Sequence, residues 1–70
     1  MKNNFKKVLI QDKYNHKKTW EINYISHGIY LKQFICGRQY GRGSRVTMSW
    51  LKELGLLDMQ PLKVIIVKNK

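Results

Sequence analysis

The 70-residue chain has one cysteine, one proline and only four acidic residues, and its longest apolar run near the amino terminus is Val8-Leu9-Ile10. Each shortage excludes something. A lone Cys36 cannot close a disulfide within the chain. With only His16 and His27 beside it, it gives no ligand set of recognisable metal-binding spacing, so no metal and no cofactor are expected. The four acids (Asp12, Glu21, Glu53, Asp58) are scattered, and no two have a spacing that suits general acid/base work. Cys36 could in principle pair with a histidine as nucleophile and base, but no third group is placed to orient them. A non-enzymatic protein is the expectation. Three consecutive apolar residues are too few for a signal-peptide core or a membrane span, and no long basic amphipathic helix is visible. These features point to a cytoplasmic protein with no membrane partner.

Size adds a further constraint. A chain this short buries only about 60% of the surface it exposes when unfolded, so its core is thin. Without disulfide or metal, oligomerisation is the leading candidate for the extra stability.

Positive charge, by contrast, is abundant. Fourteen Lys and Arg against four acids give a formal net charge of +10. Such an excess stabilises no fold but attracts polyanions. Its distribution is uneven: residues 1–18 hold six lysines and one acid, while residues 31–45 hold Lys32 and all three arginines with no acid. Nucleic acid is the first partner this implies, DNA before RNA, and the acidic surface of another protein is the second.

The arginines Arg38, Arg42 and Arg45 fall within residues 37–45 (GRQYGRGSR), which also hold Gly37, Gly41 and Gly43. As a flexible loop, this segment would let the backbone approach a phosphate closely. Planar guanidinium groups would then supply bidentate hydrogen bonds that lysine cannot. Tyr40 could stack on a base or sugar. The segment lacks the Gly-Lys-Ser/Thr ending of a nucleotide-binding loop. Lys17, Lys18, Lys32 and Lys52 join Arg38, Tyr40, Arg42 and Arg45 as candidate nucleic-acid contacts. Tyr30, Lys32 and Phe34 form a second candidate, a strand face on which bases could stack, although Phe34 is expected rather to pack under the helix.

Around this segment the pattern is α+β: one small domain over residues 1–70, ordered β-β-β-α-β. Phe5–Asp12 has an apolar centre. Thr19–Ser26 alternates, with Trp20, Ile22 and Tyr24 on one face and Glu21 and Asn23 on the other. Ile29–Cys36 is also two-faced. His27-Gly28 suits a tight hairpin between them, and an antiparallel meander follows. Thr47 or Ser49 can cap a short helix that Gly55 would end, with Leu56 folding back on Leu51. Pro61 then opens a strand over Leu62–Val67. Trp20, Ile22, Trp50 and Leu54 are expected in the core.

From Gly41 onward, GRGSRVTMSWLKELGLLDMQPLKVIIV resembles the AbrB/MazE/SpoVT superfamily, including the SymE-like proteins. Gly43, Arg45-Val46, Trp50-Leu51, Leu54-Gly55-Leu56 and Leu62–Val67 stand where that superfamily has a glycine loop, a strand start, a short helix ending in Leu-Gly-aliphatic and a following valine/isoleucine strand. Thr47 replaces its usual proline. The resemblance implies an interleaved homodimer binding DNA, with Arg42 and Arg45 as loop contacts and Lys52 as a helix contact. A regulatory DNA-binding protein is the leading expectation. The alternative is a phage or mobile-element inhibitor, resembling an anti-CRISPR protein, that covers an acidic or nucleic-acid-binding surface of a host enzyme or defence complex.

Overall fold

Alternation along the chain becomes a five-stranded antiparallel sheet in the computed structural model, which describes residues 4–68. The first three residues of the lysine-rich segment 1–18 lie outside that range. The strands are β1 (Asn4–Gln11), β2 (Lys18–Ile25), β3 (Gly28–Ile35), β4 (Arg38–Val46) and β5 (Lys63–Lys68). They are arranged β4-β3-β2-β1-β5, so β4 and β5 form the two edges. One short helix, α1 (Met48–Glu53), and a single 3-10 turn (Leu56–Asp58) lie between β4 and β5.

Directly opposed residues share a face of a sheet. The register Val8↔Ile22↔Leu31 therefore lines three apolar side chains up across β1, β2 and β3. With Ile10 they form the floor of the core, and Leu51 of α1 and Leu56 of the 3-10 turn close it from above. Trp20, Tyr24, Ile29, Val46 and Met59 pack around this cluster. The opposite face carries Leu9, Glu21, Asn23, Tyr30, Lys32 and Phe34 and has no helix over it.

The helix has the expected ends. The Thr47 hydroxyl accepts the backbone N–H of Trp50 at 3.1 Å, and Gly55 takes the left-handed conformation at φ 78°. A β-carbon would strain that φ, and glycine avoids the cost. Leu51 and Leu56 then meet in the same core, as their spacing suggested.

Several expectations need correction. Residues 37–45 are not a loop: from Arg38 onward they form β4, a full edge strand on β3, so the order is β-β-β-β-α-β. The turn before β4 is Cys36-Gly37, with both φ angles positive (53° and 82°), the geometry that matches the twist of a two-residue hairpin. The earlier hairpin turns one residue sooner than expected, at Ser26-His27, and Gly28 begins β3. Phe34 lies on the face without the helix, because Phe34 pairs with Thr19 rather than with the Trp20 row. Of the four expected core residues Ile22 is buried, Trp20 is partly buried, and Trp50 and Leu54 are exposed. A six-residue helix offers too narrow a stripe to turn Leu51, Trp50 and Leu54 all inward.

Candidate nucleic-acid interface

Once residues 38–46 are extended, period two decides where their side chains go. Arg38 pairs with Ile35, Tyr40 with Gln33, Ser44 with Leu31 and Val46 with Ile29, all on the helix-bearing face. Between Tyr40 and Ser44 the strand bulges: Gly41, Arg42 and Gly43 lie opposite Lys32 alone. Gly41 supports the bulge with φ 70°. Bulges at sheet edges re-aim side chains, and this one keeps Arg42 on the face of Arg38 and Tyr40, where it lines a cleft with Trp20 and Trp50.

Arg45 is turned away. It pairs with Tyr30 on the opposite face, its Cζ 5.9 Å from that ring's centroid. Its Nη2 donates to the carbonyl of His27 at 2.7 Å, and its Nε lies 3.2 Å from where a β-carbon on Gly28 would sit. Arg45 thus braces the β2–β3 hairpin. The three arginines clustered in sequence are divided two and one by the sheet.

Lys18 pairs with Ile35, the residue that also pairs with Arg38, so it joins the Arg38 row. Its Nζ stands 4.4 Å from the Trp20 ring centroid, within cation–π range. Lys32 is on the other face, where its stem crosses Gly43: a β-carbon there would approach Lys32 Cγ to 2.9 Å. Lys17 is exposed in the β1–β2 connection and Lys52 is exposed on α1. The sheet therefore brings Lys18, Arg38, Tyr40 and Arg42 together. It separates Lys32 and Arg45 from them.

Sequence reasoning missed two members of this site. Trp50, assigned to the core, is 50% exposed, while its neighbour Leu51 is at 0%. Trp20 is partly buried beside it. Together with Gln33, Tyr40, Arg42 and Ser44 they line a cleft of about 220 Å³ between β4 and α1. The Trp20 indole is held in place: its Nε1–H donates to Asp12 Oδ1 at 2.8 Å. Asp12 Oδ2 also accepts the N–H groups of Tyr14 (3.0 Å) and Asn15 (2.9 Å). The Trp20 hydrogen bond foremost, then the two backbone donors and the nearby Lys18 charge, hold the Asp12 carboxyl below its usual range against a smaller opposing effect of desolvation.

The other acids leave β4 alone. Glu21 accepts a hydrogen bond from Asn23 on the opposite face (2.8 Å). Glu53 and Asp58 line a separate hollow with Asp12, beyond Leu54. Among the described residues no hydrogen bond joins an arginine to a carboxylate, and no group of three or more His, Cys, Asp or Glu side chains could hold a metal ion. No helix among them is long and apolar enough to cross a membrane.

No protein-family model, curated protein or solved structure matches this chain.

Proposed function

We propose that this protein is a small, non-enzymatic, cytoplasmic regulator that binds nucleic acid, DNA above all, along the β4 edge of its sheet. The observation that carries this reading is the row of Arg38, Tyr40 and Arg42 on one face, beside Lys18 and two partly exposed indoles, with no carboxylate hydrogen-bonded to either arginine among the described residues. Two guanidinium groups and an ammonium grip phosphates, while the aromatic rings offer flat surfaces to bases. Lys17 and Lys52 add to the field from neighbouring elements. The resemblance of residues 41–67 to AbrB-type proteins points to the same ligand.

A titration of a generic DNA duplex against salt tests this. With about six phosphates engaged, log K falls against log salt with a slope near −5. Weak binding with no salt slope, for a single strand as well as for the duplex, would remove the nucleic-acid reading and leave the inhibitor of a host enzyme or defence complex as the remaining one.

The homodimer is proposed to form at the other edge. In β5, Val64 and Ile66 share the core face and are 47% and 56% exposed, with Leu62 exposed just before them. Such an edge offers unpaired backbone groups flanked by β-branched side chains, a template for another strand. A two-fold axis normal to the sheet at Ile65 sets Val64 of one copy against Ile66 of the other and joins their apolar surfaces. Lys63 then faces position 67 of the second copy instead of another lysine.

Charge permits the arrangement. The β4 edge is four strand spacings, roughly 19 Å, from this interface, beyond a Debye length of about 8 Å at physiological salt. Repulsion between the two arginine rows is therefore screened. The expected results in analytical ultracentrifugation are a wild-type dimer that tightens as salt rises and an Ile66→Lys variant that is a folded monomer. A wild type that stays monomeric at high salt contradicts this arrangement.

A further inference from the structure

We infer that the cleft between β4 and α1 captures an unpaired base, so that the preferred ligand is single-stranded. This inference rests on the nucleic-acid reading and specifies the state of the strand. Trp50 lines two hollows. One is the 220 Å³ cleft shared with Trp20, Gln33, Tyr40, Arg42 and Ser44. The other, of about 380 Å³, is formed with Ser44, Arg45, Val46 and Thr47. The base is captured in the first, where Tyr40 and Arg42 line the wall beside the indole.

Chemistry favours a base over other small flat groups. Stacking on aromatic rings is tolerant of sequence, because every base has a π face. The Gln33 amide and the Ser44 hydroxyl can each both donate and accept, so the cleft accommodates the edges of different bases. Arg42 lines the cleft and Arg38 follows it along the strand, where successive phosphates would pass.

The site is also partly pre-formed. Asp12 fixes the Trp20 ring through its N–H, and Lys18 lies over that ring at 4.4 Å. Little ordering is then left for the ligand to impose on Trp20. A base in an intact duplex cannot use these surfaces. Its faces are covered by its neighbours and its pairing edge is occupied. Only an unpaired base can enter.

The experiment compares three probes of equal length: an oligodeoxythymidylate, an oligouridylate, and a DNA duplex. Tryptophan fluorescence and affinity are read together. A single strand is expected to quench the emission and to bind about tenfold tighter than duplex, and Trp50→Ala should remove most of that advantage. Preference for the deoxy or the ribo oligomer identifies the source of the base, and either supports the inference. Tyr40→Ala provides a second reading on an exposed strand position should Trp50→Ala disturb α1; it too should weaken single-strand binding severalfold while leaving duplex binding less changed. Equal binding of single strand and duplex with no quenching overturns base capture but leaves nucleic-acid binding standing. Failure of every probe to bind overturns both.

Discussion

Replacing Arg38 and Arg42 together by alanine should weaken nucleic-acid binding at least about tenfold, while the circular dichroism spectrum and melting temperature stay close to those of the wild type. Both side chains are exposed on an edge strand, and neither has a hydrogen bond to the protein among the described residues. Their removal costs the fold little. Their loss matters to a ligand, because each guanidinium can release a counterion when it meets a phosphate. Arg45→Ala should behave in the opposite way. Its guanidinium donates to the His27 carbonyl and lies over Tyr30, so the variant should lose some stability and little affinity. A filter-binding or anisotropy assay, paired with thermal melts of the same samples, separates the two. Equal losses of affinity in both variants would mean that the ligand spans both faces of the sheet.

Leu51→Ala should abolish the cooperative native state near room temperature or come close to doing so. Leu51 is at 0% exposure, and with Leu56 it is what α1 and the following turn contribute to the core. Truncating a fully buried leucine costs about 2–5 kcal/mol. Whole domains are stable by only about 5–15 kcal/mol, and a chain this small belongs at the low end. The loss also acts on function, because α1 carries Trp50 and Lys52 to the cleft side of the sheet. Leu57→Ala, at an exposed position of the adjoining 3-10 turn, is the control and should shift the melting temperature little. A Leu51→Ala protein that melts sharply near the wild-type temperature would show that the sheet holds without its helical cover.

The strand faces were legible because burial imposes period two on the sequence. In β2, Trp20, Ile22 and Tyr24 alternate with Glu21 and Asn23, and the sheet uses that alternation as written. The helix ends were legible for a different reason: Thr47 and Gly55 satisfy local requirements that do not depend on the rest of the fold. Strand β4 was not legible. Arg38 to Arg45 contains no aliphatic side chain, so no hydrophobic alternation marks it, and glycines at three of nine positions in 37–45 argue for a loop. What makes it a strand is backbone pairing with β3, begun by the tight Cys36-Gly37 turn and needing no apolar side chains.

That one misreading propagated into the site. In a loop, three nearby arginines can converge. In a strand, Arg38 and Arg42 fall on one face and Arg45 on the other. Trp50 was hidden for a related reason, since a tryptophan beside Leu51 on a short amphipathic helix reads as core. Only the position of α1 over Leu31 and Ile22, with Leu51 pointing inward, leaves Trp50 at the rim of the cleft.

The most direct test of the central idea, that Arg38 and Arg42 hold phosphates side by side on the β4 edge, is the salt dependence of binding measured in parallel for the wild type and for the Arg38→Ala/Arg42→Ala variant. Two lost phosphate contacts should make the variant's log–log line shallower by about two units, since each contact contributes roughly one. Parallel lines for the two proteins would contradict it, placing the phosphates on other basic residues.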